Sequence, residues 1–171
     1  IGTGSGVIPI TVKAEVPPAE VFATDISHEA LTVAKRNAKR HRVQIEFMHH
    51  NILQQELPYG MFDVIVSNPP YVTEAERAMM ERNVLDHEPE LALFVPDDDP
   101  LMFYKAIVKK AASALVPGGL LAVEINENFG AETRSVFQHA GFTEILIVKD
   151  YSKKDRIVKG EKKKNEFVTE P

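Results

Sequence analysis

Two kinds of apolar pattern alternate along the chain. Short apolar runs, which indicate buried strands, are followed by stretches in which apolar residues recur every three or four positions, as on one helix face. This alternation predicts an α/β fold of βαβ units, with a mostly parallel sheet and helices on both faces. Strands are predicted at residues 21–25, 43–48, 62–67, 120–125, 142–148 and 156–160, the last of them antiparallel. Helices are predicted at residues 6–15, 28–40, 100–115 and 130–140.

Residues that commonly occur at helix ends support these boundaries. Ser27 and Asp99 precede two of the predicted helices, and both residue types are good N-caps. Gly141 suits the position just after a helix, and the Pro-Gly-Gly sequence at 117–119 should end the third helix. Residues 72–99 show no clean period, so we expect a long loop or a broken helical insert there.

The composition fits a single globular domain. The chain has 171 residues, of which 44% are hydrophobic, and this is enough to bury a sizeable core. It contains 0 cysteines, which excludes disulfides, thiolate metal sites and cysteine nucleophiles. The longest unbroken apolar run, residues 91–95, is far shorter than the roughly 18 residues that a membrane helix needs. We therefore expect a cytoplasmic protein, with its domain at residues 1–160 and a lysine-rich tail at 161–171.

A glycine-rich segment at residues 2–6, the glycine loop, is the first candidate for ligand binding. Its G-x-G-x-G spacing allows a tight turn and a close approach of the backbone to a ligand, beside the free N–H groups of the following helix. The spacing differs from the dinucleotide fingerprint and suits a nucleoside with an amino-acid tail. A purely structural turn is the alternative. Such a loop normally follows a strand, so we expect the first strand to be truncated here.

Asp25 ends the next predicted strand, about 20 residues after the glycine loop. In nucleoside-binding α/β sheets an acidic residue at this place accepts hydrogen bonds from ribose hydroxyls. Taken alone, Asp25 is equally well explained as a helix-capping or solvated residue. The loop, the spacing and the acidic residue together favour nucleoside binding.

The tetrad Asn-Pro-Pro-Tyr at residues 68–71, the acceptor loop, is the most informative segment. Asn68 is pushed into an extended conformation by the following proline, and two prolines stiffen the chain. The Asn68 side-chain oxygen and the Pro69 carbonyl can thus be held as two acceptors, which suits a planar NH2 group. Tyr71 can pack on whatever carries that group. A strand-ending turn is the alternative.

Three further features are weaker candidates. His49 and His50 adjoin a strand end without other ligands at suitable spacing, so we expect no metal site. The three aspartates at 97–99 could bind a cation, but capping the next helix is a simpler explanation. Glu124 lies inside an apolar strand and needs a partner if it is buried.

At the glycine loop, Asp25 and the acceptor loop, the sequence resembles the class I S-adenosylmethionine-dependent methyltransferases, which have a Rossmann-like fold. More closely, it resembles the HemK (PrmC) type, the peptide chain release factor N5-glutamine methyltransferases. The resemblance covers residues 1–160. It rests on the G-T-G-S-G loop, Asp25 followed by Ser27, the N-P-P-Y tetrad, the E-P-E-L-A-L stretch at 88–93, and Asp150 with Asp155-Arg156. The tetrad also occurs in enzymes that methylate adenine or guanine. The E-P-E-L-A-L stretch narrows the resemblance to glutamine methyltransferases, including the ribosomal-protein type, and the late pattern of Asp150 with Asp155-Arg156 favours the release-factor type.

The resemblance implies S-adenosylmethionine as the cofactor, with its ribose bound by Asp25 and its adenine flanked by Asn51 and Ile52. The methionine part would lie against Gly2, Thr3, Gly4, Ser5 and Gly6. Many members of the family have Asp and a bulky aromatic residue where Asn51 and Ile52 stand. Asparagine can still accept from an adenine amino group, and isoleucine offers dispersion contact without stacking.

The resemblance also implies that the acceptor loop receives the substrate glutamine. Asn68, Pro69, Pro70 and Tyr71 would bind it, with Asn68, Pro69 and Tyr71 as the catalytic residues and Asn68 also contacting the cofactor. The expected partner is a peptide chain release factor, met at the ribosome or free, and no membrane is involved. The small N-terminal helical domain of the family has no counterpart in these residues.

The charge pattern bears on the alternative substrates, which are a ribosomal-protein glutamine and an exocyclic amine of a nucleic-acid base. The net charge is −5. Residues 74–99 carry nine acidic side chains against two arginines, which is unfavourable beside a phosphate backbone and argues against a nucleic-acid substrate. Residues 149–164 carry eight basic side chains against three acidic ones, which keeps a ribosomal or RNA contact open.

Overall fold

The computed structural model describes residues 1–79 and 90–164. Its backbone forms two compact units, Ile1–Gln55 and Glu56–Pro171. Within the described residues no helix is both long enough and apolar enough to cross a membrane.

The first unit is a βαβ arrangement preceded by a helix. Strands β1 and β2 pair in parallel, with Phe22 opposite Glu46 and Asp25 opposite His49. The elements are α1 (Val7–Glu15), β1 (Phe22–Asp25), α2 (His28–His41) and β2 (Glu46–His49). The buried apolar side chains include those of Ile10, Ala23, Leu31, Ala34, Ala38 and Ile52.

The boundaries of α2 follow from local chemistry, and the predicted cap is confirmed. Ser27 is extended, and its hydroxyl oxygen accepts the Ala30 N–H at 3.1 Å. Arg42 ends the helix with φ at 56°. Strand β2 begins at Glu46, three residues later than predicted, because residue 43 still closes the helix through its N–H to the Ala38 carbonyl.

The second unit contains a four-stranded mixed sheet in the order β3-β6-β8-β7. β3 and β6 are parallel, whereas β8 is antiparallel to both of its neighbours, which confirms the predicted antiparallel last strand. The strands are β3 (Phe62–Ser67), β4 (Val72–Thr73), β5 (Phe94–Val95), β6 (Leu115–Glu124), β7 (Phe142–Lys149) and β8 (Asp155–Lys162). The helices are α3 (Glu90–Leu93), α4 (Met102–Ala114) and α5 (Gly130–His139), with 3₁₀ turns at Glu74–Met79 and Glu127–Phe129.

The core of the second unit lies between this sheet and helices α4 and α5. Alternate β6 residues are buried, as expected when side chains project to opposite faces of a strand. The fully buried side chains include Tyr104, Ile107, Val108, Leu121, Val123, Ile125, Phe137 and Val158. This core holds the end of β3 in place, and the acceptor loop follows β3 directly.

Several details of the second unit differ from the prediction, among them three that concern β6, Asp99 and β8. β6 begins at Leu115 because Leu115 pairs with Phe62, so the Pro-Gly-Gly sequence is part of an irregular strand. Asp99 does not cap α4 with its side chain, which instead binds the Lys105 ammonium group at 2.7 Å. β8 spans Asp155–Lys162, which extends the predicted strand at 156–160 by one residue at its start and two at its end. Residues 80–89 of the predicted insert lie outside the described residues.

Candidate functional site

The glycine loop has the backbone that its sequence predicts. Gly2, Gly4 and Gly6 have φ values of 64°, 53° and 86°, a region that favours glycine. A Cβ on Gly4 would meet no atom within 4 Å, so the backbone there borders open space. A Cβ on Gly6 would lie 3.0 Å from the Ala34 Cβ, because α1 begins tightly against α2. The loop is therefore open to a ligand at Gly4 and closely packed at Gly6.

Asp25 is tied directly to the glycine loop. Its Oδ2 accepts the Gly4 N–H at 2.8 Å, and its Oδ1 accepts the Ser27 N–H at 2.9 Å. The main chain adds a second connection, since the Thr3 N–H donates to the Thr24 carbonyl at 2.9 Å. The structure thus brings the predicted ribose-binding residue and the predicted methionine-binding loop together.

The donor and acceptor groups of this region fit a nucleoside with an amino-acid tail. A carboxylate has about four acceptor positions, and the two hydrogen bonds to Asp25 leave room for a ribose diol. The buried hydroxyl oxygen of Thr3 has no hydrogen-bond partner among the described residues. A buried hydroxyl without a partner is costly, so a polar ligand group beside Thr3 would stabilise the loop.

Pairing of β1 with β2 brings Asn51 and Ile52 close to Asp25. The His50 N–H donates to the Asp25 carbonyl at 2.9 Å, and residues 51 and 52 follow at once. The Asn51 Oδ1 accepts the Leu53 N–H at 3.0 Å, so this amide oxygen supports a turn and keeps one lone pair for another donor. Ile52 is 9% exposed.

The acceptor loop leaves the sheet at a buried strand end. Ser67, the last residue of β3, is 2% exposed, whereas Asn68 is exposed and Pro69 is buried again. No hydrogen bond to the Asn68 side chain is found within the part of the chain that the structure describes. Its carboxamide is therefore open to a hydrogen-bonding ligand.

Tyr71 is held at both of its ends. Its hydroxyl donates to the Glu124 Oε1 at 3.1 Å, and its carbonyl accepts from the Asn126 Nδ2 at 3.2 Å. Burial raises the pKa of Tyr71, and the nearby Glu124 carboxylate raises it further, so the hydroxyl remains a donor at neutral pH. The partner that the sequence required for Glu124 is thus Tyr71.

Sequence reasoning missed a second group of polar residues beside the acceptor loop. Glu76 accepts from the Thr73 N–H, the Thr73 hydroxyl, the Asn126 Nδ2 and the Asn128 Nδ2 at 2.9–3.1 Å. Burial acts to raise the pKa of Glu76, but these hydrogen bonds outweigh it and leave the pKa below its ordinary value. The only sequence signal was the surplus of polar residues after the buried strand β6.

The late D-x-x-x-x-D-R motif begins on the turn between β7 and β8 and ends in the first two residues of β8. The Asp150 Oδ2 accepts from the Arg156 Nη2 at 3.0 Å, and hydrogen bonds from the Lys154 amide and Arg156 hold the pKa of Asp150 below its ordinary value. Asp155 binds the Lys149 ammonium group at 2.6 Å. A Cβ on Gly130 would approach the Asp155 Oδ2 to 2.5 Å, so the carboxylate lies directly against the start of α5.

Three of the weaker candidates, His49, Asp97 and Asp99, contact other side chains or the backbone. The His49 ring stacks on His28 with ring centroids 4.0 Å apart. Asp97 accepts the Ala75 N–H at 3.0 Å, and Asp99 binds Lys105. Across the described residues, no group of three or more His, Cys, Asp or Glu side chains is placed to hold a metal ion.

Comparison with known proteins shows the family and the fold of the chain. The sequence pattern of the family described as methyltransferase small domain matches residues 1–91. The chain belongs to this family. Its α/β fold is shared by solved methyltransferases: one from Pyrococcus furiosus has a TM-score of 0.70 at 20% identity and covers 95% of this chain and 73% of its own. These structures confirm the class I, Rossmann-like fold.

Curated relatives of the domain carry a more specific name. A release factor glutamine methyltransferase of Bacteroides thetaiotaomicron is 45% identical over 159 residues, which is 92% of this chain and 57% of the relative. One of the same name from Flavobacterium psychrophilum is also 45% identical, over 93% of this chain and 56% of the relative. The chain thus spans little more than half the length of these relatives.

Proposed function

We propose that this domain transfers a methyl group from S-adenosylmethionine to the side-chain amide nitrogen of a glutamine in a peptide chain release factor. The observation that carries the proposal is the acceptor loop, in which Asn68 is exposed and unengaged while Tyr71 is anchored at both ends. The names of the relatives that are 45% identical support the choice of protein substrate.

The first unit would hold the cofactor. The Asp25 carboxylate has acceptor positions left for the ribose, and the backbone at Gly4 is open to the methionine part. Asn51 and Ile52 would flank the adenine, through the remaining lone pair of the amide and through dispersion contact. When bound, the cofactor supplies a methyl group that is already activated, because its leaving group is a neutral thioether.

The acceptor loop would activate the nucleophile, the side-chain amide nitrogen of glutamine, which is weak. The lone pair of an amide nitrogen is delocalised into the carbonyl, so the nitrogen must be aligned and its developing positive charge stabilised. The Asn68 Oδ1 and the Pro69 carbonyl would accept the two amide hydrogens and provide both effects without a general base. The methylated nitrogen then loses its extra proton to water or a carbonyl.

The distribution of charge favours a protein substrate over a nucleic acid. Three basic residues of the C-terminal stretch are already paired with acidic ones: Lys149 with Asp155, Lys154 with Glu127 and Arg156 with Asp150. Such pairs lower the positive potential that a phosphate backbone requires. The alternative substrates, a ribosomal-protein glutamine and a base amine, are compared with release factor in the following experiment.

A methyl-transfer assay of the full-length protein tests the substrate. We expect methylation of release factor, loss of methylation when the target glutamine is changed to asparagine, and little methylation of ribosomal protein, tRNA or DNA. The shorter side chain should fail because it cannot bring its nitrogen to the methyl group. Preferential methylation of adenine or of a ribosomal protein would refute the proposal.

Substitution of Asn68 tests the chemistry. Asn68→Ala should lower the rate of transfer about 100- to 1000-fold, the usual effect of losing one preorganised electrostatic contact. Cofactor affinity should change only a few-fold. Asn68→Asp is the matched control, since it keeps acceptor oxygens at the same place and should lose less activity. Nearly full activity of Asn68→Ala would exclude the two-acceptor arrangement.

A further inference from the structure

We propose that Glu124 and Asn126 are positioning residues that clamp Tyr71 at its hydroxyl and its carbonyl, and so hold the acceptor loop in the geometry that the substrate amide requires. The inference deepens the proposed function and rests on it. Neither residue has to touch the cofactor or the substrate.

The clamp is formed by residues two positions apart at the end of β6. Glu124 is the last residue of that strand, and its Oε1 accepts the Tyr71 hydroxyl at 3.1 Å. Asn126 is 7% exposed, and its Nδ2 donates to the Tyr71 carbonyl at 3.2 Å. Glu124 ends an inner strand that pairs with β3 and β8, and Asn126 caps the 3₁₀ turn that follows this strand at once.

The Asn126 carboxamide has a single satisfactory orientation. Its Nδ2 donates to the Tyr71 carbonyl and to the Glu76 Oε2 at 2.9 Å, while its Oδ1 accepts the Asn128 N–H at 3.0 Å. Exchanging the nitrogen and oxygen would place NH2 against an N–H and oxygen against a carboxylate and a carbonyl. Asn126 therefore fixes the Tyr71 carbonyl by direction as well as by distance.

Fixing Tyr71 also restricts the residues that would contact the substrate. The rings of Pro69 and Pro70 hold their φ angles near about −65°, so few torsions remain free between Asn68 and Tyr71. A displacement of about 1 Å in such a group can lower a rate about 100-fold. The clamp thus acts on the alignment of the Asn68 and Pro69 acceptors.

Steady-state kinetics of the full-length protein on release factor test the clamp. We expect Glu124→Ala and Asn126→Asp to lower kcat about 10- to 100-fold. The KM for S-adenosylmethionine should stay close to wild type in both variants. Asn126→Asp should also melt at a lower temperature, because it places a second carboxylate against that of Glu76. Glu124→Gln should recover most of the activity, because its amide oxygen still accepts the Tyr71 hydroxyl. Asn128→Ala is the matched control: it removes a hydrogen bond to the same Glu76 carboxylate without touching Tyr71.

A double-mutant cycle separates the clamp from general stability. Tyr71→Phe keeps the ring and removes only the hydroxyl, which interacts with the Arg156 guanidinium as well as with Glu124, so it should lower kcat at least as much as Glu124→Ala does. Combining the two should add little, since both remove the same contact. Effects that multiply independently, or Glu124→Ala and Asn126→Asp variants with wild-type kcat, would overturn the proposal.

A measurement on the enzyme without substrate keeps the test independent of the proposed function. Relaxation-dispersion NMR should find the Asn68 and Tyr71 amides free of microsecond-to-millisecond exchange in wild type and exchanging in Glu124→Ala. Unchanged dispersion would overturn the clamp whatever the substrate is. Failure of wild type to methylate release factor, combined with the expected dispersion, would refute the proposed function and leave the clamp standing.

Discussion

Removing the Asp25 carboxylate should weaken cofactor binding by an amount that follows from its hydrogen bonds. The carboxylate accepts the Gly4 and Ser27 N–H groups at 2.8 and 2.9 Å, which leaves about two of its four acceptor positions for a ribose diol. A hydrogen bond to a charged group contributes about 1.5–3 kcal/mol. Asp25 is half-buried, so Asp25→Ala should raise the Kd for S-adenosylhomocysteine about 10- to 100-fold.

Calorimetric titration of the full-length protein with S-adenosylhomocysteine measures this Kd. Ser27→Ala is the matched control, because it keeps the Ser27 N–H and Asp25 but removes the hydroxyl that accepts the Ala30 N–H. It should destabilise α2 by about 1 kcal/mol and leave the affinity unchanged. An Asp25→Ala variant that binds within about twofold of wild type would show that this carboxylate does not hold the ribose. Tight binding of NAD would refute the choice of cofactor.

Three further predictions concern stability. Gly6→Ala should lower the free energy of unfolding, measured with heat or urea, by about 2 kcal/mol, because it adds backbone strain at φ 86° and a Cβ 3.0 Å from Ala34. Gly4→Ala adds backbone strain alone and should lower it by about half as much. Gly119→Ala should also cost about 2 kcal/mol, because its Cβ would lie 2.9 and 3.1 Å from two backbone carbonyl oxygens. Folding lowers the pKa of Glu76, so its carboxylate stabilises the native state above the ordinary pKa of 4.5, and this contribution is lost as the pH falls through the lower folded value. Melting temperatures of Glu76→Gln should therefore fall less steeply with acidification than those of wild type, and equal slopes would contradict the assignment.

Elements whose ends depend on neighbouring residues were predictable from the sequence. Ser27 caps α2 because its side chain needs to reach only the N–H three residues ahead. Gly141 follows α5 with φ at 82°, as expected for a glycine at that position. The acceptor loop could also be recognised in the sequence, because its four residues are contiguous and its prolines restrict the backbone regardless of context.

Local signals were misleading where tertiary pairing competed with them. The Pro-Gly-Gly sequence at 117–119 indicates a break, yet β6 begins before it at Leu115, which pairs with Phe62. Between this pair and the next, Val64 with Leu120, β6 uses more residues than β3, and Gly118 takes up part of the excess with φ at 81°. Asp99 looked like a cap but binds Lys105, a choice that helix propensity does not encode.

The sequence by itself determined which groups are proposed to do chemistry in this protein: a glycine loop, an acidic strand end and two acceptors at residues 68–71. Only the tertiary structure decided what supports them. Glu124 and Asn126 reach Tyr71 across 53 and 55 residues of chain, and Asp25 reaches Gly4 across 21. Contacts over such separations depend on how strands align and on the face of the sheet from which each side chain projects. A one-residue change in register would move every side chain of a strand to the opposite face. Local propensity carries no information about that alignment, which is set by the burial of the sheet as a whole.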